Sequence, residues 1–269
     1  MSTTLTPPTF ETLLLSVDAR SVATLTLNRP DTHNALNATL IADLKRATAW
    51  LAEAKGLRAV VLTGAGATFC AGGDLGWMQQ NMKKTRGERV SESFELALML
   101  RALNELPMPL IGRINGPAYG GGVGMISVCD VSVAVDNGVY CLTEVRLGLI
   151  PANISPYVVA RMGEANARRT FLTAKRMNAA EARRLGLVSE VVPPEQLDAA
   201  VERELADLLQ CAPGAVAATK KLVSYVHSHD LTTSMTYAAD KLADAWETEE
   251  GRAGIEAFFA RRPPPWRQA

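Results

Sequence analysis

The sequence predicts an α/β fold: a largely parallel sheet interleaved with helices, followed by a helical C-terminal region. Three observations carry that expectation. Short apolar runs, "RAVVLTG" (58–64), "LIGRING" (110–116) and "VSVAV" (131–135), read as strands covered on both faces. Segments of helical period lie between such runs, the alternation of a parallel sheet whose ligands sit beyond the carboxyl ends of its strands. After Pro151 helical patterns dominate, and only "LVSEVV" (187–192) interrupts them as a strand.

The elements follow in order. "TLLLSV" (12–17) and "SVATLTLN" (21–28) flank the polar turn "DAR", as in a hairpin. The chain turns at Arg29-Pro30-Asp31, and Asn37 then precedes an amphipathic helix. Its Leu40, Leu44, Ala47 and Leu51 recur at helical spacing, and Gly56 supplies a stop. The polar, methionine-containing stretch "MQQNMKKTRGERVSESF" (78–94) reads either as a mobile wall of a pocket or as an exposed helix start. The pattern divides the chain into an α/β core over residues 1–200 and a helical region over 201–269.

Composition narrows the function. Lys+Arg and Asp+Glu each number 28 and the pI is about 6.8, so no global field favours nucleic acid or an anionic membrane surface. No apolar run approaches the ~18 residues that span a bilayer, and the start lacks a signal-peptide pattern, so a cytoplasmic protein is expected. Cys70, Cys129, Cys141 and Cys211 show no metal spacing and sit among small or apolar neighbours, as buried reduced thiols do. His33, His227 and His229 form no metalloprotease pattern, and neither a serine-hydrolase elbow nor a phosphate loop is present. No metal site is expected, and His227 and His229 read as the end of a helix.

Two glycine clusters remain, "TFCAGGDLGWM" (68–78) and "NGPAYGGGVGMISVCD" (115–130), each beyond a predicted strand. A carbonyl that gains negative charge during reaction is stabilised by two backbone N–H donors at about 2.7–3.1 Å, and glycine lets the backbone approach unobstructed. The second cluster runs into an apolar stretch of helical length, which would aim the N–H groups near Gly121 and Gly122 outward.

The motifs "FCAGGDL", "NGPAYGGGVG…CD" and "LTEVRLGLIP", supported by "LNRPDTHNAL" and "GIEAFFARRPPPW", resemble the enoyl-CoA hydratase/isomerase, or crotonase, superfamily in order and spacing over nearly the whole chain. The resemblance implies a crotonase-like fold of ββα repeats with a C-terminal trimerisation region, assembled as a homotrimer or homohexamer. It implies an acyl-CoA thioester substrate, with coenzyme A as part of that substrate and no tightly bound cofactor. By the same resemblance the N–H groups of Gly73 and Gly121 are the oxyanion donors. Arg29, Ala35, Ala71, Gly72, Asp74, Leu75, Tyr119, Gly120 and Gly122 then fall in the substrate-binding stretches, although Asp74 equally suits a helix cap.

Glu144 matches one of the two family glutamates, and partial burial there would raise its pKa toward the range useful for proton transfer. A salt bridge to Arg146 is the structural alternative. Three residues after Gly121, where the second family glutamate would stand, the chain has Gly124. The expected reaction is hydration of an α,β-unsaturated acyl-CoA. The alternatives are Δ3,Δ2-enoyl-CoA isomerisation by Glu144 alone and a non-catalytic acyl-CoA-binding protein. "GGGVG" and the stretch after Leu142 look most like hydratases of 3-methylglutaconyl-CoA or isohexenylglutaconyl-CoA, whose second carboxylate could meet Arg113 or Arg146.

Overall fold

A computed structural model describes residues 6–267 of the chain. The predicted hairpin forms β1 (Leu13–Val17) and β2 (Val22–Leu27), antiparallel with Leu15 opposite Leu25. Helix α1 (Ala38–Glu53) starts where Asn37 accepts the Leu40 N–H at 2.9 Å, a side-chain cap that satisfies one of the first-turn donors. Its Leu40, Leu44, Ala47 and Leu51 are fully buried, each leucine adding roughly 1.5–3 kcal/mol of apolar burial. The one acidic residue on that face, Asp43, is buried because it accepts from the N–H and hydroxyl of Thr12, at 3.0 and 2.9 Å.

Strand β3 (Ala59–Gly64) is buried at every position, as its unbroken apolar run requires. After it come α2 (Leu75–Met82), α3 (Arg86–Asn104) and β4 (Leu110–Ile114). The polar stretch 78–94 thus spans the end of α2 and the start of α3, where Thr85 and Glu88 form a reciprocal capping box. Next in order are β5 (Ala118–Tyr119), α4 (Gly121–Ser127), β6 (Val131–Val135) and β7 (Val139–Cys141). Helices α5 (Ser155–Met162) and α6 (Glu164–Phe171) precede β8 (Met177–Asn178), α7 (Ala179–Arg184) and β9 (Glu190–Val192).

The main sheet has the order β1-β2-β3-β4-β6-β9, parallel throughout except for β1 against β2. A second sheet of three short strands, β5-β7-β8, has no counterpart in the sequence expectations, because its strands are too short to show a period. These elements form one compact unit, residues 6–106 with Leu110–Val201.

A second unit joins Pro107–Pro109 to the residues from Glu202 onward. It contains most of α8 (Leu197–Leu208), then α9 (Pro213–Ser228), α10 (Leu231–Glu247) and α11 (Glu249–Phe259). His227 lies in the last turn of α9, and the His229 ring stacks on Tyr225 with centroids 3.8 Å apart. The expectation of four buried thiols fails at Cys211, which is exposed in the turn after α8, while Cys70, Cys129 and Cys141 are buried. Among the described residues no helix is long and apolar enough to cross a membrane.

Candidate active site

The first glycine cluster follows β3 and lies between two other segments. Cys70 bonds on one side, taking part in N–H to Pro117 O (3.3 Å) and accepting the Tyr119 N–H (2.9 Å). Ala71 bonds on the other side, donating to His33 O at 2.9 Å. Regular alternation would send Gly72 back toward Tyr119. Instead Gly72 has φ +87°, a region that favours glycine, and its carbonyl accepts the Leu36 N–H at 2.7 Å. A trans peptide points its C=O and N–H in opposite directions, so the Gly73 N–H is aimed away from Leu36. Asp74 N–H then returns to Leu36 O at 2.9 Å. A Cβ on Gly72 would lie 2.9 Å from Tyr119 O, which shows how closely the two clusters approach.

The second cluster follows β4. Tyr119 pairs with Cys141 across the small sheet, and the Gly120 N–H donates to Cys141 O at 2.9 Å. Helix α4 begins at once, with Gly124 N–H bonded to Gly120 O at 3.2 Å. Gly121 lies against Leu36 and Gly122 against Cys70, so the first turn of α4 rests on the very segments that hold the first cluster. Among the described residues neither the Gly73 N–H nor the Gly121 N–H has a protein acceptor.

Glu144 reaches this place because β7 ends at Cys141, beside Gly120, and a short 3-10 turn (Glu144–Leu147) follows. Its Oε1 lies 3.1 Å from where a Cβ on Gly120 would stand. Oε2 is buried with no hydrogen-bond partner among the described residues. Burial pushes the Glu144 carboxyl above the ordinary glutamate range, and its own backbone N–H offsets this only in part. The alternative ion pair does not form: the Arg146 guanidinium donates instead to Ala174 O at 2.8 Å. Cys70 is no competing nucleophile, since burial pushes its thiol up to about 12.

Arg29, Ala35 and Asp74 come together at the edge of the first cluster. Arg29 donates to Ala35 O and to Asp74 Oδ2, the latter at 2.9 Å. Asp74 Oδ1 accepts from the N–H groups of Gly76 and Trp77, capping α2. Burial alone would raise the Asp74 pKa, but Arg29 and these two N–H groups hold it below the ordinary aspartate range. Leu75, the first residue of α2, is exposed. Arg113 is held by Asp198 at 2.6 Å and reaches Thr63 at 3.3 Å, and Arg146 is held as described, so neither guanidinium is directed at Glu144.

Two residues of the neighbourhood had no individual signal in the sequence. Met78 lies over Gly73, its Sδ 3.5 Å from where a Cβ would stand, and Ile154 lies over Gly124. Both are delivered by tertiary packing, Met78 from the stretch already marked as a candidate pocket wall.

Known proteins resemble this chain over nearly its whole length. The family described as enoyl-CoA hydratase/isomerase matches residues 18–269. An enoyl-CoA hydratase of Alternaria alternata is 36% identical over 232 residues, covering 84% of this chain and 76% of the relative. Among solved structures, an enoyl-CoA hydratase from Shewanella pealeana superposes with TM-score 0.92 at 32% identity, covering 96% of each chain. Pseudomonas aeruginosa AtuE superposes with TM-score 0.92 at 36% identity, covering 96% of this chain and 100% of that one. The fold is thus crotonase-like α/β, and the chain belongs to the enoyl-CoA hydratase/isomerase family.

Proposed function

We propose that the protein adds water across the double bond of an α,β-unsaturated acyl-CoA. The carrying observation is a buried carboxyl oxygen on Glu144, beside Gly120, that has no partner among the described residues, together with the Gly73 and Gly121 N–H groups, which have no protein acceptor among them. In this reading the thioester oxygen accepts from the Gly73 and Gly121 N–H groups, which draws electron density from the β-carbon. Water attacks that carbon and loses a proton to the Glu144 carboxylate. Negative charge collects on the enolate oxygen between the two donors, where each donor typically contributes ~10²–10³-fold in rate. Glu144 then returns the proton to the α-carbon, so one carboxyl serves as base and then as acid. Burial, by raising its pKa, makes the carboxylate a stronger base for that first step.

A second reading is Δ3,Δ2-isomerisation, favoured by Gly124 and its neighbour Ile154, which leave no second acid on α4. Moving a double bond needs only one carboxyl to take and return a proton. Within hydration, the motif resemblance favours 3-methylglutaconyl-type esters. The exposed Leu231, Met235, Leu242, Trp246, Phe258 and Phe259 of the second unit support assembly as a homotrimer or homohexamer. A kinetic panel of crotonyl-CoA, a 3-enoyl-CoA and 3-methylglutaconyl-CoA, run on wild type and Glu144→Gln, tests the proposal. Hydration that depends on Glu144 supports it. Deuterium exchange at the α-carbon without net hydration supports isomerisation, and binding without any turnover overturns both.

A further inference from the structure

The first glycine cluster is laid on a segment that is itself held from behind. His33 O accepts the Ala71 N–H at 2.9 Å, and Leu36 brackets the peptide between Gly72 and Gly73. It donates to Gly72 O at 2.7 Å and accepts from Asp74 N–H at 2.9 Å. Residues 33–36 are therefore the template that orients the Gly73 N–H, and a shift of the template turns that peptide.

The template begins in a costly conformation. His33 and Asn34 follow the 3-10 turn Pro30–Thr32 with φ of +53° and +56°, two successive left-handed residues of which neither is glycine. Such backbone persists where its surroundings over-determine it. Here the Asn34 side chain does so. It is fully buried; its Oδ1 accepts the Arg29 N–H at 2.9 Å, and its Nδ2 donates to Ala65 O at 2.9 Å and to Thr68 O at 2.8 Å. Both amide hydrogens and the oxygen are engaged, a pattern that a carboxylate cannot reproduce because it would set an oxygen against two carbonyls. The Asn34 backbone N–H closes on Arg29 O at 2.9 Å, and Gly64 supplies the room, since a Cβ there would stand 2.9 Å from Asn34 Nδ2. Thr68 lies three residues before Ala71, so the amide ties the incoming chain to its template just upstream of the contact between His33 and Ala71. None of these contacts involves Glu144 or α4.

We infer that Asn34 is a positioning residue for the oxyanion site: its buried amide locks the 29–36 loop to the 65–68 loop and so sets the direction of the Gly73 N–H. It acts through His33 and Leu36 and not on the substrate. The inference rests on the reading of Gly73 as an oxyanion donor.

Asn34→Gly tests it, because glycine keeps the left-handed backbone and removes only the amide. The kcat for hydration falls by about 10- to 100-fold, the scale on which a displaced catalytic group is felt, while KM stays within about threefold. Asn37→Ala, which removes the cap of α1, controls for lost stability: it lowers the Tm and leaves kcat within about twofold. A second readout follows the oxyanion site directly. A conjugated dienoyl-CoA bound to E144Q, where turnover is slowed, absorbs at longer wavelength the more its carbonyl is polarised by the two N–H groups. N34G in the E144Q background diminishes that red shift, and N37A leaves it whole. A folded Asn34→Gly enzyme with either wild-type kcat or an undiminished red shift overturns the inference. Should N34G not fold, Asn34→Asp takes its place under the same criteria, since it keeps the side-chain volume and the acceptor for Arg29 but loses the donations to Ala65 and Thr68. If neither variant folds, Asn34 serves folding alone and the inference fails. Absence of any red shift in E144Q itself overturns the oxyanion reading and this inference with it, whereas a shift that Asn34→Gly does not change rejects Asn34 alone.

Discussion

Gly72→Ala is the sharpest test of how the chain aims the Gly73 N–H. The residue has φ +87°, and an added Cβ would stand 2.9 Å from Tyr119 O, an atom of the backbone that cannot swing aside. Forcing an L-residue into such a conformation costs about 1–3 kcal/mol, and for a chain of this size each kcal/mol lowers the Tm by roughly 2–4 °C. A loss of about 2–12 °C is therefore expected. The peptide between residues 72 and 73 must rotate to relieve the contact, and the Gly73 N–H rotates with it, which would lower kcat by ~10²–10³-fold. Gly56→Ala is the control: φ is +86° there, yet a Cβ would meet nothing within 4 Å. Both variants are compared by thermal melts and by loss of enoyl-thioester absorbance, at a temperature where each is fully folded. A Gly72→Ala enzyme that melts early but turns over like wild type refutes the link between this turn and catalysis.

Glu144→Gln is expected to lower kcat by ~10²–10⁴-fold without lowering the Tm at neutral pH, as melts and the same absorbance assay will read. The folded protein holds the Glu144 proton more tightly than the unfolded chain does. The stability from that proton is therefore present below the ordinary glutamate pKa and lost as pH rises through the folded value. The Tm of Glu144→Gln should accordingly gain on wild type as pH rises from 4 to 8, and a flat difference contradicts the burial argument. Asp74→Ala removes a helix cap and the Arg29 partner, at about 0.5–2 kcal/mol for the cap alone, whereas Asp74→Asn keeps a capping oxygen and loses less, as denaturant midpoints will show. Because the Asp74 pKa is depressed, that contribution is present above the ordinary aspartate value and disappears as pH falls, so wild type and Asp74→Ala should converge in acid.

What was legible in the sequence was what local pattern dictates. "RAVVLTG" reads as a doubly covered strand, and β3 is buried at all its positions. Asn37 before an apolar helical period marked the start of α1 to the residue. The two glycine clusters and Glu144 were visible as unusual residue types, and the fold brings them side by side. Long-range contacts were not legible. Strand β8 exists because Val139 and Tyr140 pair with Asn178 and Met177, and two residues carry no period of their own. Asp198 takes up the Arg113 guanidinium from 85 residues away, which removes a cation that the sequence alone left available. Gly124 was legible as a missing acid, while the isoleucine that occupies its space was not, since nothing local ties position 154 to position 124.

The most direct measurement is a crystal structure of the protein with an unreactive thioether or dithioester analogue of an enoyl-CoA that retains an oxygen or sulfur at the carbonyl position. That atom should sit within hydrogen-bonding distance of both the Gly73 and Gly121 nitrogens, with the Glu144 carboxyl over the α- and β-carbons. An analogue bound with this atom touching neither nitrogen, or with Glu144 turned from the acyl chain, contradicts the account.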